Sequence, residues 1–149
     1  MKIRLIAVGD KVRPWVRDGF QEYARRLPSQ TPLELVQIPA GRGQSSEQQG
    51  LRMLKALRSN DWVVALDERG AACSTLQLAD KLGDWRMQAR DVAVLVGGAN
   101  GLGVSCLDRA NETLSLSTLT FPHELVRVIV AEQLYRAWTI LSGHPYHRT

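Results

Sequence analysis

The chain predicts an α/β fold, a mostly parallel sheet of five to six strands with helices on both faces, and three observations carry that expectation. Short apolar runs alternate with segments of helical periodicity along the 149 residues. Two of the runs, 62–66 (Trp-Val-Val-Ala-Leu) and 92–96 (Val-Ala-Val-Leu-Val), are apolar throughout, the pattern of strands buried on both faces of a parallel sheet. The second run passes directly into Gly97, Gly98, Gly101 and Gly103, a turn in which backbone approaches backbone or ligand where a Cβ would collide.

The elements follow in order. Residues 2–8 alternate and then turn apolar before Gly9, a first strand. Pro14 opens a helix whose apolar stripe holds Val16, Phe20, Tyr23 and Leu27, widened by Trp15, Gly19 and Ala24. Residues 32–38 alternate as a second strand and stop at Pro39. The stretch 41–46 has loop composition, and a polar helix follows to about residue 59 with Leu51, Leu54 and Leu57 as its buried positions. The third strand, 62–66, ends in a turn at 67–70, where Asp67 is read as a turn cap. Ser74 is the N-cap of a helix burying Leu76, Leu78, Ala79 and Leu82. The fourth strand, 92–96, and its glycine loop lead to a short helix near 105–110, and a fifth apolar run, 114–119, stops at Phe121-Pro122. Residues 123–142 form the longest helix, apolar on more than one stripe, which asks for cover beyond the sheet; a second copy of the chain is the economical source.

Length places all of this in a single domain, residues 1–149, with a core of its own. With 44% hydrophobic and 23% charged residues the composition is that of a soluble protein. No N-terminal stretch resembles a signal peptide and no run approaches the roughly 20 apolar residues of a membrane span, so no membrane partner and a cytoplasmic location are expected. Cys73 and Cys106 make neither a disulfide framework nor a metal spacing, and the His144/His147 pair has Pro145 between its members, so no metal is expected. Charge is uneven. Residues 1–58 hold eleven Lys/Arg against five Asp/Glu, the rest eight against ten, and arginines outnumber lysines fifteen to four. Arginine is the better bidentate phosphate ligand, so a polyanionic partner is compatible with the chain.

The strand ends at 97–103 and 117–122, tipped with Gly, Ser, Thr and Pro, are expected to wall one ligand pocket at the carboxyl edge of the sheet. The common nucleotide motifs do not describe it. The glycine loop lacks the Lys-Ser/Thr of a P-loop, and the dinucleotide fingerprint belongs in the first strand–helix turn, which here is Gly9-Asp10-Lys11.

Four segments carry a resemblance to a known family: Gly-Gly-Ala-Asn-Gly at 97–101, Leu-Ser-Leu-Ser-Thr-Leu-Thr-Phe-Pro-His-Glu-Leu-Val-Arg-Val at 114–128, Ala-Glu-Gln-Leu-Tyr-Arg-Ala-Trp at 131–138, and Pro-Tyr-His-Arg at 145–148. With Ile-Ala-Val-Gly-Asp-Lys at 6–11 and Ile-Pro-Ala-Gly at 38–41, the chain resembles the SPOUT-class ribosomal RNA large subunit methyltransferase H family from end to end. Two departures stand out: Gly143 occupies the place of an asparagine in the family's tail, and the 41–50 loop is short.

The resemblance implies a fold closed by a C-terminal trefoil knot, a feature no periodicity foretells because chains as a rule do not thread loops. It implies a homodimer transferring methyl from S-adenosyl-L-methionine to N3 of a pseudouridine in helix 69 of 23S rRNA, with RNA and not DNA as the nucleic acid. The cofactor site it implies is Leu66, Gly98, Ser117, Thr118, Leu119, Thr120, Phe121 and Pro122. Its catalytic side is the tail, beside the cofactor of the partner subunit: His147 as the general base, Tyr146 stacking on the base, and Arg148 on phosphate or the developing uridine anion. His123 is expected to order the loop before the last helix. Competing readings are a catalytically silent ribosome-binding factor of the same fold and a flavodoxin-like nucleotide-binding protein.

Overall fold

The computed structural model of the chain describes residues 1–147. Five strands, β1 (Ile3–Val8), β2 (Leu33–Ile38), β3 (Trp62–Ala72), β4 (Val92–Val96) and β5 (Glu112–Ser115), form one all-parallel sheet in the order β2-β1-β4-β3-β5. Every residue of β1 and β4 is buried, as strands covered on both faces must be. Helices α1 (Pro14–Ala24), α3 (Thr75–Gln88) and α5 (His123–Ser142) pack with one core that includes Leu5, Phe20, Leu82, Val94, Val130 and Leu134. Helices α2 (Ser46–Lys55) and α4 (Val104–Arg109) belong with the other, built around Ile6, Met53, Val63, Leu95 and Cys106.

Local chemistry explains where the helices begin. Pro14 supplies a fixed φ at the first turn of α1. Ser45 and Ser74 start α2 and α3 through reciprocal capping boxes: each hydroxyl accepts from the backbone N–H of a glutamine three residues on, whose side chain accepts in return. At its far end α5 stops at Gly143 in the left-handed region (φ 75°), and His144 N–H closes the turn on Thr139 O at 3.0 Å.

The structure corrects four expectations. First, β3 does not end in a turn at residue 67; it continues to Ala72 through an irregularity in which Leu66 and Ala71 both register with Leu114. Second, β5 is short and ends at Ser115. The Ser115 hydroxyl donates to Ser117 O (3.1 Å) and the Ser117 hydroxyl accepts from Leu119 N–H (2.9 Å), so local bonds replace the ladder. Third, the buried face of α2 is Gln49, Gly50 and Met53 with Leu51 half exposed, and that of α3 is Ala79, Leu82 and Trp85 with Leu76 exposed. Trp15 is likewise exposed on α1. Fourth, much of the cover that α5 needs comes from the chain itself: Gly19 of α1 lies against Val128, and Gly83 of α3 against Leu141.

Two buried arginines fasten the sheet at opposite ends. Arg4 pairs with Asp61 and donates to Ala56 O at 2.7 Å. Arg127, from α5, donates through Nη2 to Val8 O and Gly9 O, both at 2.8 Å, and through Nη1 to Gln37 Oε1 at 3.3 Å. Burial pushes its pKa down. It ties the last helix to the carboxyl end of β1.

Candidate functional site

Three strands meet at the same edge of the sheet, β4 and β5 by their ends and β3 by its irregularity after Leu66, and each path is locally determined. After Val96, the loop folds on itself: Gly101 N–H donates to Gly98 O at 3.0 Å, Gly101 adopts φ 76°, and a Cβ on Gly97 would lie 2.4 Å from the Gly101 carbonyl. Glu47 of α2 clamps the loop's far side. Its carboxylate accepts from the Ser105 hydroxyl and from Ser105 N–H (3.3 Å), and these bonds hold its pKa below the usual carboxylate value. After Leu66, Asp67 accepts from Arg69 backbone N–H (2.9 Å) and from the Arg69 guanidinium (2.8 and 3.0 Å); that side-chain bond is the main cause of its lowered pKa. At Gly70 a Cβ would meet the Leu114 backbone at 2.8 Å, which is how closely β3 crosses β5. After Ser115, the serine bonds described above shape the loop, and Pro122 precedes α5.

Together these ends enclose a cleft of about 700 Å³, a size suited to a cofactor. Of the residues singled out from the sequence, Leu66, Gly98, Ser117, Leu119, Thr120, Phe121 and Pro122 line it. Thr118 is exposed and does not. Leu119 is 70% exposed, so its side chain closes nothing by itself. Gly98 is glycine because of what lies behind it: a Cβ there would stand 3.3 Å from Val8 Cγ1 and 3.4 Å from Gln49 Oε1. Asn100 lines the cleft with the rest of the glycine loop, and Glu68, Arg69, Leu116 and Val126, which sequence reasoning does not single out, line it too. For Glu68 and Arg69 the usable signal is the carboxylate pair Asp67-Glu68 at a strand tip, where a carboxylate can meet a ribose hydroxyl as well as cap a turn.

Behind the cleft lies a second cavity of about 330 Å³, sharing the walls Leu66, Leu116, Ser117 and Phe121. Its lining is mostly apolar, Trp85 and Val94 included, and burial pushes the thiol of Cys73 up. Thr75 and Gln133 are among its polar groups.

The tail residues are elsewhere. Pro145–His147 form a turn of 3-10 helix packed back on α5. The Tyr146 ring lies 4.7 Å from that of Tyr135 and 5.0 Å from the Arg136 guanidinium, and its hydroxyl donates to Glu132 Oε1 at 3.1 Å. Burial first, and the Glu132 carboxylate second, push the phenol up to about 12, so it stays protonated. His147 is half buried, its Nδ1 without a partner among the described residues. None of residues 144–147 lines the cleft. Arg148 lies outside the described residues. Among the described residues no cluster of three or more His, Cys, Asp or Glu side chains is placed to hold a metal, and no helix is long and apolar enough to cross a membrane.

With this geometry in hand, likenesses to known proteins can be weighed. The model of a family described as "Predicted SPOUT methyltransferase" matches residues 1–147. The ribosomal RNA large subunit methyltransferase H of Hahella chejuensis is 52% identical over 155 aligned positions, covering 99% of each chain. That of Alkalilimnicola ehrlichii is 53% identical, with 99% of each chain covered. Among solved structures, a probable methylase family protein from Haemophilus influenzae superposes with a TM-score of 0.61 at 12% identity, covering 99% of this chain and 70% of that one. A probable methyltransferase from Bordetella pertussis gives 0.61 at 13% identity, covering 91% and 95%. At such identities these two speak for the fold alone. Identity near one half over nearly the whole chain, together with the family model, decides the matter: the chain belongs to the SPOUT methyltransferases, within the family of ribosomal RNA large subunit methyltransferase H.

Proposed function

We propose that the protein transfers the methyl group of S-adenosyl-L-methionine to N3 of a pseudouridine in helix 69 of 23S rRNA, as a homodimer acting on the ribosome. The observation that carries the reading is the convergence of Leu66, Gly98, Ser117 and residues 119–122 on one cleft of cofactor size at the carboxyl edge of a parallel sheet.

The residues present fit that cofactor. Leu66, Leu116 and Phe121 offer apolar surface for a purine, the tight 97–101 turn offers backbone polar groups, and Glu68 offers a carboxylate for hydroxyl or ammonium groups. When bound, the cofactor supplies a methyl group already activated by its sulfonium. What remains for the protein is to exclude water, hold the uracil ring in line and remove the N3 proton.

The tail residues are suited to the last two tasks, but not at their own cleft. His123, which lines the cleft, and Glu132, which anchors Tyr146, are nine residues apart on α5, about 13 Å along its axis. In this reading the tail of one protomer serves the cleft of the other, as the family resemblance implies. There the Tyr146 ring stacks on the target base, His147 takes the imide proton on a ring nitrogen, and Arg148 offsets the charge left on the ring or binds a neighbouring phosphate. The chain threading that traps the cofactor loops, a trefoil knot, is the arrangement this family membership implies.

Calorimetric titration separates this reading from a flavodoxin-like one. The expected result is saturable binding of S-adenosyl-L-methionine that is lost in Phe121→Ala, and no binding of flavin mononucleotide. Binding of the flavin alone would overturn the proposal.

A further inference from the structure

A network of five side chains crosses α5 from the tail to the second cavity. The Tyr146 hydroxyl donates to Glu132 Oε1 (3.1 Å); Arg136 reaches the same oxygen through Nε (2.8 Å) and Nη2 (2.6 Å). Gln133 Nε2 donates to Glu132 Oε2 (2.8 Å), and the Thr75 hydroxyl donates to Gln133 Oε1 (2.7 Å). Thr75 and Gln133 line the cavity that shares four wall residues with the cleft. Glu132 is the hub, its side chain only 17% exposed.

A helix of this apolar character has no intrinsic need for a carboxylate at that place. A surface Glu–Arg pair one turn apart adds only a few tenths of a kcal/mol to a helix, and withdrawing the carboxylate from water opposes even that. What Glu132 obtains in exchange is the phenol of Tyr146, which ties the short 3-10 turn after α5 back onto the helix.

We propose that Glu132 is a positioning residue for the methyl transfer: through its bond to the Tyr146 hydroxyl it fixes the attitude of the C-terminal tail on α5, and through Gln133 and Thr75 that anchor is braced against α3 of the same protomer, so that the tail is presented to the partner's cleft in one attitude. The inference rests on the tail forming the substrate side. Glu132 touches neither cofactor nor base, and it acts only through Tyr146. Its loss therefore lowers turnover on the ribosome without loosening the cofactor.

The experiment measures kcat and KM on ribosomes lacking the methyl group, the affinity for S-adenosyl-L-methionine, and the melting temperature, for Glu132→Ala, Glu132→Gln, Tyr146→Phe, Tyr146→Ala and the Glu132→Ala/Tyr146→Phe double variant. Glu132→Ala and Tyr146→Phe are each expected to lower kcat/KM by about tenfold or more, the range for a charge-assisted hydrogen bond. The double variant is expected to be no worse than the poorer single one, because both remove the same bond. Glu132→Gln, whose amide oxygen still accepts from the phenol, is expected to recover most of the activity. Cofactor affinity and melting temperature stay close to those of the parent.

Full activity in Glu132→Ala beside an impaired Tyr146→Ala would overturn the positioning role while leaving the tail reading intact. Additive losses in the double variant, or a Glu132→Gln as impaired as Glu132→Ala, would also overturn it. A parallel fall in melting temperature and cofactor affinity would make Glu132 merely structural. Full activity in Tyr146→Ala would remove the tail reading itself, and this inference with it.

Discussion

Gly97 and Gly98 are neighbours, yet they are glycine for different reasons and should fail differently. A methyl on Gly97 collides with backbone, the Gly101 carbonyl at 2.4 Å, which cannot give way without opening the turn. A methyl on Gly98 meets the Val8 and Gln49 side chains at 3.3 and 3.4 Å, contacts that relax by tenths of an ångström. Gly97→Ala is therefore expected to weaken S-adenosyl-L-methionine binding about tenfold or more and to lower stability by about 1–3 kcal/mol. Gly98→Ala should cost less on both counts, and titration calorimetry with thermal denaturation measures the contrast. Family resemblance points to Gly98 as the contact residue, whereas packing makes Gly97 the stricter requirement. Arg127 makes the corresponding case for a charge. Replacing it with Met removes the donor shared by Val8 O and Gly9 O. The expected loss is about 2–4 kcal/mol, seen as a fall in Tm of about 5–15 °C.

Between elements, the clamp of Glu47 on the start of α4 gives a pH dependence whose sign follows from its lowered pKa. In the unfolded chain the group titrates near its reference value of 4.5; in the folded protein it titrates lower. The stability it contributes is present above that reference and is lost as pH falls through the folded value. Between pH 6 and roughly pH 3, the melting temperature of Glu47→Gln is expected to fall less than that of the parent; equal slopes would remove the clamp from the account. Sequence periodicity placed the first four described strands and the α-helices approximately, because apolar runs and a capping serine such as Ser74 are local signals, while its fifth run overlaps β5 only at residues 114 and 115. It misjudged phase in α2 and α3, where Leu51 and Leu76 are as apolar as the buried Met53 and Leu82 and only tertiary placement distinguishes them. It ended β3 early because Asp67-Glu68-Arg69-Gly70 has turn composition, while the pairing of Ala71 and Ala72 with β5 is set by a partner more than forty residues away. The cleft was legible as two glycine- and serine-tipped strand ends. The Glu132 hub was not, since what distinguishes it from an ordinary helix-surface carboxylate is the return of Tyr146 from the tail and the reach of Thr75 of α3 to its neighbour Gln133.

For the molecule as a whole, the proposal that the tail of one protomer serves the cleft of another makes function depend on a second copy. Sedimentation is expected to give a dimer. Mixing a cleft-defective variant, Gly97→Ala, with a tail-defective one, His147→Ala, should restore part of the activity, because a mixed dimer has one intact pairing of cleft and tail. No restoration after verified subunit exchange would place the tail at its own cleft. Apolar side chains left partly open on α5, Leu141 at 40% and Trp138 beside it, are compatible with such an interface, though α1 and α3 already cover the helix's flanks. Charge suits the substrate, since fifteen arginines give the chain many bidentate phosphate ligands. The central claim is tested most directly by incubating the protein with radiolabelled S-adenosyl-L-methionine and ribosomes that lack this one methyl group, then mapping the label. The account predicts label at N3 of the helix 69 pseudouridine; label at another nucleotide, or none while the cofactor still binds, would contradict it.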